Sequence, residues 1–253
     1  ALESASSETL SGRIQFAAAG THCEATRDQT RGLHVQMIKR TYVEAMQGLG
    51  KVEPLAMISR NANDNNPYGW RRWFASLFAI YETDRMIELD LPWWNVEATR
   101  EIEAFLAARP GARVFEYGSG ASTVWLARRA HEVITVEHDG DWLRKFERQT
   151  RGFDHVNLLH RSIDNSPEAY VNAIDELEGD FDLIVVDGRH RNACLERSAP
   201  RLKADGIVLY DDSGRSRYRS AIEGIDLVET QHYGRSYCVP YPDYTSLLRH
   251  GSA

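Results

Sequence analysis

The sequence predicts an α/β fold, a doubly wound parallel sheet preceded by a helical cap, and three observations predict it. Beyond Gly111, short apolar runs rich in β-branched residues alternate with segments of helical character. The first run ends in a glycine turn, Glu116-Tyr117-Gly118-Ser119-Gly120, that opens onto a helix. The second ends in an acid, Glu137, one strand–helix unit later. Strands alternating with helices imply right-handed βαβ units and a sheet buried on both faces.

The elements follow in chain order. Residues 1–30 are polar, rich in Ser, Thr, Ala and Glu, and read as a flexible lead-in. Between Arg31 and Met46 the apolar residues, among them Leu33, Met37, Ile38 and Val43, fit one face of a helix. Asn61 to Gly69 has the composition of a loop. The aromatic stretch Trp70–Leu89 reads as a second helix, its rings packing on the sheet domain, so that 31–89 forms the cap. Asn95–Ala108 reads as a third helix, ended by Arg109-Pro110-Gly111. Five strands are expected at Val114–Tyr117, Val133–Glu137, Val156–Leu159, Phe181–Asp187 and Gly206–Asp211, with Leu227–His232 and Tyr244–Arg249 as two more. Ser122–Ala130, Asp141–Thr150, Pro167–Leu177 and Asn192–Leu202 are the intervening helices, and the sheet domain spans 90–253.

Composition narrows the class. The chain has 253 residues, 42% hydrophobic and 26% charged, enough for a sizeable core. Thirty basic against thirty-seven acidic side chains give a net charge of −7, which argues against nucleic acid as a partner. No apolar run is long enough to cross a bilayer, so no membrane is expected. Cys23, Cys194 and Cys238 are scattered and lack metal-ligand spacing. With no apolar leader in ALESASSETL, a cytoplasmic location is expected. Self-association into a homo-oligomer is left open.

Ligands of open α/β sheets sit at the carboxyl ends of the strands. There the glycine turn permits close approach of a ligand to the backbone, and the helix beginning near Ser122 offers its amides. Glu137 ends its strand where a carboxylate can accept hydrogen bonds from both ribose hydroxyls. A structural glycine turn is the bland alternative. Thr123 stands where a dinucleotide fingerprint has its third glycine, and Glu116 would repel a pyrophosphate while suiting an ammonium and a sulfonium.

The run VFEYGSGAST, ITVEHD, FDLIVVDG, GIVLYDD resembles a class I S-adenosylmethionine-dependent methyltransferase over about residues 90–250. The resemblance implies a Rossmann-like sheet of seven strands, the last antiparallel. It implies that Glu116, Gly118, Ser119 and Gly120 cradle the methionine part and that Glu137 holds the ribose. Ser162, in the segment after the third strand, would then lie by the adenine. His138, next to Glu137, is either a second flank of the adenine or a solvent-exposed histidine.

Asp187, at the end of the fourth strand, and Asp211 and Asp212, after the fifth, fall within reach of one small ligand. Converging carboxylates repel one another unless a cation or bound donors offset them. Three readings stand: a hard divalent ion such as Mg²⁺, helix caps, or direct substrate contact. The pattern is similar to metal-dependent O-methyltransferases of the catechol and sugar type, which implies Asp187, Asp211 and Asp212 as metal ligands. His190 occupies the place of that family's lysine base. Histidine suits proton transfer near neutral pH, whereas the bland reading is a solvated loop residue. Asp187 is the other candidate for catalysis, and its strand-tip position also puts it beside the cofactor.

From Arg189 to Arg219 eight Lys or Arg face four acids, which suits an anionic acceptor, with Arg189, Arg191 and Arg215 the closest to the strand tips. Trp93 and Trp94 precede the first βα unit and could stack on a sugar or shield the transfer from water. The expected activity is methyl transfer from S-adenosylmethionine to a hydroxyl of a small polar or anionic acceptor, with Mg²⁺ as candidate metal. The rivals are a NAD-linked oxidoreductase and a non-catalytic methyltransferase-like partner subunit.

Overall fold

The computed structural model describes residues 40–251. The lead-in expected over 1–30, and the part of the first expected helix before residue 40, lie outside the described residues. The chain divides into two compact units, Ala1–Gly48 and Leu49–Ala253. Helix α1 is described over 40–49, where Arg40 pairs with Glu44 one turn on at 2.9 Å.

The second unit holds a seven-stranded sheet of order β3-β2-β1-β4-β5-β7-β6. Its strands are β1 (Arg113–Tyr117), β2 (Glu132–Glu137), β3 (Val156–His160), β4 (Phe181–Val186), β5 (Leu202–Asp211), β6 (Val228–Arg235) and β7 (Pro242–Arg249). The first five run parallel, and β7 is antiparallel to both β5 and β6. This is the Rossmann-like, seven-stranded sheet with an antiparallel last strand that the sequence predicts.

Side-chain alternation along each central strand builds two cores. Phe115, Tyr117, Ile134, Val136, Ile184 and Val186 pack on one face. Val114, Val133, Leu183, Val185, Ile207 and Leu209 pack on the other. All six residues of β4 are buried, as a strand covered on both sides requires. Helix α5 (Val96–Ala107) starts at Asn95, whose Oδ1 accepts from the Glu97 and Ala98 amides. Helices α6 (Ala121–Ala127) and α7 (Gly140–Thr150) follow β1 and β2, and Asp139 caps α7 through the Asp141 and Trp142 amides.

Three expected helices are shorter than their apolar patterns. Trp70–Leu89 is not one helix: α3 (Trp70–Ser76) passes into a 3₁₀ turn and then α4 (Thr83–Glu88), with α2 (Glu53–Arg60) upstream. The run Leu77–Ile80 is buried throughout, and the chain bends to bury it, with Tyr81 at φ 58° completing the break. The segment after β3 forms α8 (Glu168–Val171) followed by a 3₁₀ turn. Pro200 ends the helix that begins after β4, α9 (Arg191–Ser198), in a 3₁₀ turn, and Leu202 already belongs to β5. Helix α10 (Ser216–Gly224) precedes β6.

The loop before α3 is held by Arg72, which is buried and donates to the carbonyls of Ala62, Asn63, Asn65 and Leu89. This segment is stitched to the β6–β7 connection. Trp73 Nε1 donates to the Ser236 carbonyl at 2.9 Å, the Tyr237 hydroxyl to that of Pro67 at 3.0 Å, and the Cys238 amide to Ser76 Oγ at 2.9 Å.

Candidate cofactor and acceptor site

The site grows from the tips of β1, β2, β4 and β5. Glu116 shares a sheet face with Val114, so its carboxylate points toward α6 rather than out along the strand. There Ser122 Oγ donates to Oε1 at 2.5 Å, and Thr123 Oγ1 and Thr135 Oγ1 donate to Oε2 at 2.6 and 2.7 Å. Burial pushes this carboxyl up from 4.5 to about 7, although the three hydroxyls pull it down. Glu116 is 0% exposed, which corrects the expectation that it touches the methionine part. It braces the turn from beneath.

Gly118 takes φ +93°, and a Cβ on it would stand 2.8 Å from Gly188 Cα, so glycine lets the tips of β1 and β4 close together. The turn amides are spent inside the protein. Gly118 N–H donates to the Val136 carbonyl, Ser119 N–H to Glu137 Oε2, and Gly120 N–H to Thr123 Oγ1, at 2.9, 2.9 and 3.0 Å.

Glu137 is buried at the tip of β2. Its Oε2 also accepts from Ser119 Oγ at 2.8 Å, and its Oε1 from the His138 and Asp139 amides at 2.8 and 3.0 Å. His138 Nδ1 lies 2.7 Å from Oε1 without forming an aligned hydrogen bond. Beside this carboxylate opens a cleft of about 620 Å³ lined by His138, His160, Ser162, Ile163, Asp164 and Arg189. The structure thus brings together Gly118, Ser119, Gly120, Glu137, His138 and Ser162. Three further groups complete the region: Trp142, whose Nε1 donates to the Ser119 carbonyl at 2.8 Å, Thr135 and Tyr170. Sequence reasoning missed them, although Thr135, a lone hydroxyl in an apolar strand, carried a signal.

Asp187, Asp211 and Asp212 do converge, and a guanidinium stands among them. Arg191 Nη2 donates to Asp187 Oδ1 at 2.7 Å, while Nη1 lies 3.1 Å from Asp212 Oδ2 and 3.8 Å from Asp211 Oδ2. The remaining N–H bonds reach the backbone carbonyls of Gly188, Asp211 and Asp187 at 3.1, 2.6 and 3.0 Å. The second oxygen of each carboxylate is also occupied. Trp94 Nε1 donates to Asp187 Oδ2 at 3.2 Å, Thr245 Oγ1 to Asp211 Oδ1 at 2.7 Å, and Arg215 Nη2 to Asp212 Oδ1 at 2.6 Å. Burial pushes the Asp187 carboxyl up to about 6 against the pull of Arg191. Burial, Asp187 and Asp212 push Asp211 well above the usual carboxylate range.

Four expectations are corrected here. Among the described residues no three His, Cys, Asp or Glu side chains group so as to hold a metal ion, and the carboxylate trio is built around Arg191, so the residues present do not fit Mg²⁺. Arg191 is accordingly an internal counterion rather than a substrate group, a role that depends on three acids from two strand tips meeting its helix start. Arg215 is half exposed but already paired with Asp212. Trp94 is fully buried against Trp125, at 5.7 Å between rings, and cannot stack on an acceptor. Trp93 is half-buried and packs edge-on against the exposed Tyr81 at 4.9 Å. His190 caps α9 in the left-handed region, φ 50°, with its side chain exposed and nothing among the described contacts orienting it. Arg189 is exposed on the cleft. Of the aromatic cap residues, Phe78 is buried, while Trp70 and Phe74 line a separate apolar hollow of about 480 Å³ with Met57 and Ile58.

The stretch from β1 to the residues just after β5 is also where comparison with known proteins is informative. Residues 115–213 match the family model described as a methyltransferase domain. That span contains every strand-tip residue of the site. No curated protein matches the chain. Among solved structures, a SAM-dependent O-methyltransferase from Thermotoga maritima is similar at 15% identity, over 70% of this chain and 72% of that one, with a TM-score of 0.50. A methyltransferase-like protein from Silicibacter pomeroyi is similar at 24% identity, over 60% and 87%, with a TM-score of 0.41. An rRNA methylase from Streptococcus thermophilus is similar at 12% identity, over 60% and 96%, with a TM-score of 0.46. The likeness to the Thermotoga protein is one of fold.

Proposed function

We propose that the protein transfers a methyl group from S-adenosylmethionine to a hydroxyl of a small polar acceptor. One observation carries the choice of cofactor: the amides of the glycine turn are already used. With Gly118, Ser119 and Gly120 bonded to Val136, Glu137 and Thr123, and the Glu116 carboxylate beneath, the turn offers no cradle for a pyrophosphate. A nucleoside without phosphate is suited to it. Its ribose hydroxyls would take Glu137, displacing Ser119 Oγ and the His138 ring, the two side-chain neighbours that can rotate away, while the backbone amides hold the carboxylate still. The base fits the cleft along His138, Ser162 and Ile163. The methyltransferase-domain match over 115–213 supports the same reading.

At the acceptor end Asp187 is the better placed of the two catalytic candidates. Its two oxygens are oriented by Trp94 and Arg191, and it stands half-buried at the strand tip. The acceptor oxygen forms its bond to the methyl carbon as the carbon–sulfur bond breaks, and the hydroxyl proton passes to Asp187, leaving S-adenosylhomocysteine. The recognition of an anionic acceptor now rests on Arg189, since Arg191 and Arg215 are paired internally. No helix among the described residues is long and apolar enough to cross a membrane. Cys194 and Cys238 are free and buried, in keeping with a reducing cytoplasm.

Calorimetric titration with S-adenosylhomocysteine and, separately, NADH tests the reading. Binding of the first and not the second is expected. Binding of NADH alone would transfer the site to the oxidoreductase alternative, and binding of neither would favour the non-catalytic one.

A further inference from the structure

Three carboxylates at the tips of β4 and β5 would repel one another strongly unless something positive lay among them. The structure places that charge in the chain itself. Asp187, Asp211 and Asp212 each turn one oxygen toward the Arg191 guanidinium, at 2.7, 3.8 and 3.1 Å, and the other toward a separate donor, respectively Trp94, Thr245 and Arg215. The guanidinium side chain is 10% exposed. It is locked by its own backbone bonds to Gly188, Asp211 and Asp187. A planar fork with five donors on a single charge is well suited to bridge several carboxylates and carbonyls at once. A hard divalent ion would need oxygen ligands at about 2.0–2.6 Å on a common centre. That centre is where Arg191 sits.

We propose that Arg191 is the resident cation of the acceptor end, occupying among Asp187, Asp211 and Asp212 the place a divalent ion would otherwise take. It is a positioning residue: it holds Asp187 at the rim of the site and lets the trio assemble without metal. The helix start after β4 supplies it four residues beyond Asp187, within reach of both strand tips. The inference extends the site proposed above but does not depend on its cofactor.

Mn²⁺ titration of the metal-free full chain, followed by electron paramagnetic resonance and by thermal melts, tests it. Wild type is expected to take up no stoichiometric Mn²⁺ and to melt at the same temperature with and without chelator. Arg191→Ala is expected to melt lower and to gain saturable Mn²⁺ binding at least tenfold tighter than wild type, with Mn²⁺ raising its melting temperature. Adding Asp211→Asn to that variant should remove the gained binding. A purely structural arginine would lower the melting temperature in the same way but create no Mn²⁺ site. Arg191→Lys covers the case in which alanine does not fold. It keeps the charge and should still exclude Mn²⁺. Stoichiometric Mn²⁺ uptake by wild type that Asp187→Asn or Asp211→Asn abolishes overturns the proposal. So does a folded Arg191→Ala that binds Mn²⁺ no better than wild type. S-adenosylhomocysteine binding by wild type, measured alongside, decides the cofactor reading separately.

Discussion

Glu137 is the side chain on which the cofactor reading most depends, because it joins the glycine turn to the cleft. Glu137→Ala removes the acceptor for the Ser119, His138 and Asp139 amides along with the proposed ribose contact. Hydrogen bonds to a charged group contribute about 1.5–3 kcal/mol, so affinity for S-adenosylhomocysteine should fall roughly 10–100-fold by calorimetry. Two buried tyrosines give a paired stability test. The Tyr117 hydroxyl donates to the Val171 carbonyl at 2.8 Å, whereas the Tyr170 hydroxyl is buried with the Arg189 backbone nearby but no aligned hydrogen bond. Tyr117→Phe should cost about 1 kcal/mol in denaturant unfolding, and Tyr170→Phe should cost less. Unequal losses in the reverse order would contradict this assignment of partners. Glu137 could be read from the sequence because its place depends only on spacing along one βα unit. Glu116 and Arg191 were misjudged because what a charged side chain pairs with is decided in three dimensions. Ser122, Thr123 and Thr135 enclose the one, and acids from two strand tips enclose the other.

The contact between β1 and β4 positions both halves of the site, and Gly118 makes it possible. In Gly118→Ala the new Cβ would meet Gly188 Cα at 2.8 Å, with the backbone still required at φ +93°. Holding a non-glycine residue in such a conformation costs on the order of 1–3 kcal/mol, before any separation of the strands. Unfolding free energy should drop by about that amount, and S-adenosylhomocysteine affinity should fall with it as the tip of β1 moves. An unchanged affinity would mean that the turn is structural only. The strands themselves were readable because a sheet covered on both faces leaves continuous apolar, β-branched runs such as Phe181–Val186. The stretch Trp70–Leu89 misled for a related reason. Its apolar residues fit a helical period, but a run buried all round carries no preferred face, and nothing local announces the bend at Tyr81. The stitching of α3 to the β6–β7 connection joins residues more than 160 positions apart, such as Trp73 and Ser236, and no local pattern encodes it.

Across the whole molecule, the acidic excess of −7 conceals two kinds of carboxylate with opposite effects on stability. Asp90, despite burial, is held below its usual range by hydrogen bonds from Arg129 and Arg128, and Glu229 is held down by its hydrogen bond from Arg219. Such groups contribute stability above their unfolded pKa and lose it as pH falls through the folded one. Glu116 and Asp187 behave in the opposite sense, raised by burial to about 7 and about 6. Their contribution is fully present below the unfolded carboxylate value and is lost as pH rises through the folded one. The two sets together place the stability maximum near the ordinary carboxylate range, at about pH 4–4.5, with a decline through pH 7 toward pH 8. For Glu116, fully enclosed, the loss between its ordinary 4.5 and about 7 corresponds to about 3 kcal/mol. Glu116→Gln isolates that part. The amide keeps the shape, and the hydroxyls of Ser122, Thr123 and Thr135 can each rotate to donate or accept. Chemical denaturation at pH 5.5 and pH 8 should show wild type losing stability over that interval and the variant losing less, so that the variant is the more stable protein at pH 8. A wild type equally stable at both values, or a variant with the same slope, would mean that Glu116 is ionised in the folded protein at mildly acidic pH. The brace beneath the glycine turn would then be an anion, and the three hydroxyls would outweigh its burial.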